Sequence, residues 1–133
     1  MIKLFIGSKG SGKTKTLIEM VNNAVASSKG NVVCIEKGDK LIHDITYKAR
    51  LIDTDAYSVN DADALYGFIA GILASNSDIT DIFVDSALKI IGNDVAAFEA
   101  MLVKLEKITS DVNLVMTSSI AVDDAPASIK AYC

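Results

Sequence analysis

Tryptophan is absent from this chain of 133 residues, and proline and histidine occur once each, as Pro126 and His43. Arginine is nearly absent too: of 13 basic residues only Arg50 is an arginine. Arginine is the side chain whose planar fork grips phosphate in two parallel hydrogen bonds, so the several-arginine clamp of a small-molecule kinase has nothing to be built from. The charge balance is acidic, 13 Lys+Arg against 17 Asp+Glu. A surface that clamps nucleic acid over a broad area carries a basic excess, and nucleic acid is therefore not an expected partner. The two cysteines, Cys34 inside an apolar run and Cys133 at the last position, make neither a disulfide framework nor a metal site. His43 stands among Leu41, Ile42 and Asp44 with no second imidazole to share a metal with. No apolar run approaches the roughly 20 residues of a membrane span, and the first, residues 2–6, is too short for a signal peptide. A cytoplasmic protein with no membrane partner is expected.

What the chain does have is aliphatic mass. Half the residues are hydrophobic while aromatics are 6 %, so Ile, Leu, Val and Ala supply a core for one domain over residues 1–133. Strand-like and helix-like periods alternate along it, which argues for an α/β fold with a mainly parallel sheet. Residues 1–6 (MIKLFI), 31–35 (NVVCI), 82–84 (IFV, ending in Asp85) and 112–116 (VNLVM) read as buried strands. Helices are expected over 13–29, with Gly30 as its stop, over 60–75, capped by Asn60 or Asp61, and over 93–109, capped by Asn93. Gly67 and Gly71, one turn apart, suggest a close approach of the second helix to the sheet. Residues 37–57 read poorly: Ile45, Tyr47, Ala49 and Leu51 alternate as a strand would, and Leu51-Ile52 is a candidate fifth strand. The expected architecture is a three-layer α/β/α sandwich on a sheet of four or five strands.

One stretch carries chemistry. Gly7-Ser8-Lys9-Gly10-Ser11-Gly12-Lys13-Thr14 matches G-x-x-x-x-G-K-[ST] in full, directly after a predicted strand and at the start of a predicted helix. The glycines allow backbone angles that a side chain forbids. The loop amides and the helix N-terminus then form a concavity for phosphate. Lys13 brings a positive charge toward the β- and γ-phosphates, and the Thr14 hydroxyl is a ligand for Mg²⁺. Lys9 lies mid-loop at a variable position with no individual role. Asp85, ending an apolar strand downstream, is placed to hold a water of the Mg²⁺ shell.

Together these residues resemble the P-loop NTPase superfamily, and within it the RecA-like group, in the form of a small single-domain bacterial P-loop ATPase. Ile82-Phe83-Val84-Asp85-Ser86 looks like that group's second nucleotide motif. Glu36, ending the strand after the P-loop helix, resembles the carboxylate that orients the attacking water, a general base for hydrolysis. Thr117 and Ser118, ending the last strand, resemble the polar sensor position that faces the γ-phosphate. The resemblance has gaps: no Glu follows Asp85, and the later strands and DNA-binding loops of RecA proteins are not recognisable. The GTPase signatures are absent, since Leu88 stands where Asp-x-x-Gly needs glycine and Met116-Thr117-Ser118-Ser119 replaces Asn-Lys-x-Asp. The resemblance thus implies Mg-ATP as ligand, with slow hydrolysis stimulated by a protein partner or a homo-oligomer. A non-hydrolysing, nucleotide-dependent switch or scaffold is the alternative, and a small-molecule kinase a more distant one. Arg50 is a candidate finger toward a neighbouring subunit's nucleotide, against the plainer reading of a surface loop residue.

Overall fold

A computed structural model describes residues 1–133. Its strands are β1 (Ile2–Ile6), β2 (Asn31–Glu36), β3 (Arg50–Asp53), β4 (Ile79–Asp85) and β5 (Asn113–Ser118). The helices are α1 (Lys13–Ser27), α2 (Ala62–Ser75), the short α3 (Ala87–Ile90), α4 (Val95–Glu106) and the short α5 (Ala127–Lys130). All neighbouring strands pair in parallel, in the order β1-β5-β4-β2-β3. Five strands is the upper of the two expected numbers, and Leu51-Ile52 does belong to a strand, at the sheet edge.

Because successive side chains on a strand face opposite sides, a sheet covered on both faces must be apolar at successive positions, and the middles of the three central strands, 32–35, 82–84 and 114–116, are. Val33, Ile35, Ile82, Val84, Leu114 and Met116 enter one core with Leu65 and Ile69 of α2 and Phe98, Leu102 and Leu105 of α4. Their alternates Val32, Cys34, Phe83 and Val115 enter a second core with Leu17 and Val21 of α1. Two apolar layers on either side of one parallel sheet are consistent with a three-layer α/β/α arrangement.

The second core is completed by the segment that the sequence left unresolved. Residues 40–48 form turns, not a strand. The alternation of Ile45, Tyr47, Ala49 and Leu51 is misleading, because the buried positions are Leu41, Ile45 and Ala49, four apart, while Tyr47 is 91 % exposed. Hydrogen bonds from Ile45 N to Leu41 O (3.0 Å) and from Ala49 N to Thr46 O (3.0 Å) make successive turns. These turns lay one side of the segment on α1 and the sheet. Asn22 of α1 holds it there, donating to Asp44 O (3.0 Å) and accepting from Thr46 N (2.9 Å).

Three local expectations need correction. The cap of α4 is Asp94, whose Oδ1 accepts from Ala97 N. Asn93 instead takes a left-handed conformation at φ 62° and closes the turn after α3 by donating to Leu88 O. Gly67 and Gly71 do not approach the sheet; both are exposed, and a Cβ on either would meet nothing. Two glycines one turn apart mark a face of the helix without saying which face. Gly30 is not a left-handed stop for α1, which ends on Ser28. Its smallness is needed elsewhere: an added Cβ would lie 2.1 Å from the carbonyl oxygen of Asp78 and 2.7 Å from Thr80 Cγ2. The obstacle is backbone at the start of β4 and cannot rotate away. Gly30→Ala is therefore expected to destabilise the protein by about 1–3 kcal/mol, the range for overpacking, seen as a lower urea midpoint at unchanged m-value.

Candidate phosphate-binding site

The carboxyl ends of β1, β2, β4 and β5 and the loops leaving them enclose a cleft of about 740 Å³. Strand parity decides what faces it. Phe83 and Val115 point toward α1, so Asp85 and Thr117, two residues on, point the same way. Cys34 is on that side as well, and hence Glu36. Glu36, Asp85 and Thr117, 49 and 32 positions apart along the chain, meet at one end of the sheet for this reason.

The loop between β1 and α1 bends through two left-handed glycines, Gly10 and Gly12, each at φ 87°. Gly12 is the N-cap of α1; no side chain caps this helix and its first turn holds no acidic residue. By contrast α2 and α4 are capped by Asp61 and Asp94. Among the three long helices, the one that starts at the cleft is thus the one without a carboxylate cap, and the partial positive charge of its N-terminus faces the cleft. The ammonium of Lys13 donates to Gly7 O (3.0 Å), Ser8 O (2.9 Å) and Ser11 Oγ (3.2 Å), across the mouth of the loop.

Opposite the loop stands Asp85. Thr14 Oγ1 donates to it, at 3.2 Å from Oδ1 and 3.4 Å from Oδ2. Thr117 Oγ1 donates to Oδ1 at 2.5 Å, and Ser86 Oγ at 3.4 Å. Thr14 Oγ1 would be a ligand of Mg²⁺, and Asp85 beside it would hold a water of the ion's shell. These are hard oxygen donors, and no cluster of three His, Cys, Asp or Glu side chains exists that could cage a metal by itself. A pair of oxygens that leaves most positions to phosphate and water suits Mg²⁺.

Glu36 is neither the solvated strand-end residue that sequence allows nor openly presented to the cleft. It is 2 % exposed, with Oε1 accepting from Lys40 N (3.1 Å) and Oε2 from Leu41 N (3.0 Å). Burial raises its pKa above the ordinary 4.5, the two backbone hydrogen bonds oppose the rise, and the charges of Asp85 and Asp53 add to it. A carboxyl whose pKa is raised by folding binds its proton more tightly in the native state, so its contribution to stability is full below the unfolded value and falls as pH climbs through the folded one. Urea midpoints of wild type and Glu36→Gln measured upward from pH 4.5 should therefore diverge, with wild type losing ground to the variant as pH rises. A constant difference would show that Glu36 does not titrate differently on folding.

The remaining expected site residues divide. Gly7, Ser8, Lys9, Gly10, Ser11, Gly12, Lys13 and Thr14 all belong to the loop and the start of α1, and Lys9, Gly10, Gly12, Lys13 and Thr14 line the cleft. Of the two sensor candidates, Thr117 reaches Asp85, whereas Ser118 shares the parity of Leu114 and Met116. Ser118 is fully buried with no hydrogen-bond partner for its hydroxyl. Arg50 opens β3, opposite Val33, three residues or about 10 Å along the strand from the end where the cleft lies. Cys34 is a free thiol, pushed up to about 12 by burial and by the charges of Glu36 and Asp85.

Sequence reasoning missed the other wall. Lys37, Lys40 and Leu41 after β2, and Ser86, Leu88, Lys89 and Asn93 after β4, line the cleft with Lys15 and Ser119. Six of the twelve lysines of an acidic chain thus gather at one cleft, facing only two carboxylates. The available signal was topological: segments leaving the carboxyl ends of parallel strands are where ligands bind. No protein-family model matches the chain, and no curated protein matches it.

Proposed function

We propose that this chain binds Mg-ATP through Gly7–Thr14 and hydrolyses it slowly, as the resemblance to RecA-like P-loop NTPases implies. One observation carries the reading. Thr14 and Asp85, 71 positions apart, set two hard oxygens 3.2 Å from each other at the mouth of a glycine loop over an uncapped helix N-terminus. The loop amides and Lys13 hold the β- and γ-phosphates, while Thr14 and the Asp85 side of the cleft hold Mg²⁺. When bound, the ion offsets charge that builds on the phosphate oxygens. The Lys13 ammonium would do the same. Phosphoryl transfer asks little covalent chemistry of a protein, so positioning and charge stabilisation account for the turnover. Glu36, one strand from Asp85 in register, is the carboxylate assigned to orient water. No arginine lines the cleft, which favours low turnover until a partner or a second copy completes the site.

A switch that barely hydrolyses is the second reading, and the observation in its favour is that each Glu36 oxygen already accepts a backbone amide. Phosphate release from Mg-ATP, followed over about a hundredfold range of protein concentration with Lys13→Ala as the blank, separates the readings because assembly responds to concentration by mass action. Turnover per subunit that rises with concentration means a site completed between copies; flat, Lys13-dependent turnover means a self-contained slow ATPase. Nucleotide binding without phosphate release selects the switch, and ADP formed without free phosphate, in the presence of an acceptor, selects a kinase.

A further inference from the structure

We infer that Lys40 reads the γ-phosphate of the bound nucleotide and that Glu36 is the residue that positions it. The inference rests on the Mg-ATP reading of the cleft and assigns a role that the glycine-loop motif does not contain.

The argument begins with the cations of the cleft. Lys13 belongs to the glycine loop, and Lys9 and Lys15 lie on that loop and the first turn of α1. Lys37 is committed to Asp55, at 2.6 Å. Lys40 and Lys89 remain on the walls facing the loop, and neither is engaged by a protein carboxylate. The two differ in how their backbones are held. Lys89 lies on the four-residue α3. Lys40 sits in a loop fixed at three amides by two strand-end carboxylates: Gly38 N donates to Asp53 Oδ1 (2.8 Å), and Lys40 N and Leu41 N donate to the two oxygens of Glu36. Leu41, 4 % exposed, anchors the far side in the core against α1.

That anchorage is costly and hence informative. A carboxylate taken out of water loses hydration that only good hydrogen bonds restore, and the protein partners of Glu36 are the amides of Lys40 and Leu41 alone. A strand that needed only packing at this position would carry an aliphatic residue. The buried charge instead fixes the main chain at Lys40 while leaving its side chain exposed. Glu36 pairs in register with Asp85, so the loop leaves the sheet one strand from the proposed Mg²⁺ position and faces the glycine loop across the cleft. An ammonium there meets the far end of a triphosphate, where ATP and ADP differ. Thr117 is less suited to that task in this arrangement, because its hydroxyl is spent on Asp85.

The test is equilibrium binding, by calorimetry, of a non-hydrolysable ATP analogue and of ADP, both with Mg²⁺, so that it does not depend on turnover. Lys40→Ala should weaken the analogue about tenfold, the scale of one charge-assisted hydrogen bond, and leave ADP within about twofold. Lys40→Arg should recover most of the loss. Glu36→Gln should weaken the analogue selectively, and the double variant Glu36→Gln/Lys40→Ala should bind it no more weakly than Lys40→Ala alone, as expected for two residues acting as one unit. Lys40→Ala that weakens both nucleotides equally, or neither, would overturn the inference, as would a selective loss in Lys89→Ala instead. Analogue affinity unchanged in Glu36→Gln would overturn the positioning role. Should Glu36→Gln fail to fold, the Lys40 variants decide, since they keep the backbone amide that Glu36 holds. A wild-type protein that binds neither nucleotide sinks the Mg-ATP reading and this inference with it; one that binds both but ignores Lys40 sinks only the inference.

Discussion

Lys13→Ala is expected to weaken Mg-ATP binding by about a hundredfold or more, the scale of two charge-assisted hydrogen bonds, and to reduce phosphate release to background. Thermal stability should hardly change. The ammonium contributes three hydrogen bonds to the loop itself, to Gly7 O, Ser8 O and Ser11 Oγ, but Ser8 and Ser11 are exposed and their oxygens pass to water when the lysine is removed. Exposed interactions of this kind contribute little to stability. Titration of wild type and variant with Mg-ATP, beside their melts, checks both halves. Equal affinity in the two proteins would mean that the loop does not hold the nucleotide, whatever its match to the motif.

The sheet was legible because its strands obey one simple rule. A strand with apolar residues at every position, such as Val32–Ile35 or Ile82–Val84, has no exposed face, and a parallel sheet covered on both sides accommodates that. Turn and cap chemistry was legible where a side chain acts on its own neighbourhood, as Asp61 does for Ala64 N. It failed where the decisive partner is remote in sequence. Gly30 must be small because of Asp78, and nothing near Gly30 says so. The segment 40–48 failed for a different reason: its buried residues are four apart, yet two of them also fit an alternating pattern that runs on into β3. Short windows with both periods do not decide between strand and turn.

The candidate site was legible to the extent that it is local. Gly7–Thr14 is contiguous, and the roles expected of its glycines, Lys13 and Thr14 follow from their own chemistry. Asp85 and Thr117 were found from their places at strand ends, and parity together with the β4–β5 pairing brings them into contact. The same parity separates Ser118 from Thr117, a distinction that the sequence could have drawn from the alternation Leu114, Met116, Ser118. Glu36 was found by position, but its burial was not foreseeable, because it depends on a loop folding back so that Lys40 N and Leu41 N reach its oxygens. The lysine wall was unreadable for the same reason. Lys37, Lys40 and Lys89 look like ordinary members of mixed-charge segments until the topology gathers them around the glycine loop.

Asp85 is where the fold and the proposed chemistry make opposite demands on one side chain, and two substitutions should separate them. Its carboxylate accepts from Thr14, Ser86 and the fully buried Thr117. Asp85→Ala leaves the Thr117 hydroxyl without its partner at the end of a central strand, which should cost about 1–3 kcal/mol of stability, read as a lower urea midpoint. It also removes one of the two hard oxygens proposed for Mg²⁺. Asp85→Asn keeps an amide oxygen that can accept from Thr117, so its unfolding midpoint should stay near that of wild type, yet it lacks the charge that a divalent cation requires. The expected pattern is therefore a split: both variants lose the Mg²⁺-dependent part of ATP binding, and only the alanine variant loses stability. ATP binding that still strengthens with Mg²⁺ in Asp85→Asn, to the same degree as in wild type, would remove Asp85 from the ion's surroundings and leave it as the structural partner of Thr117 alone.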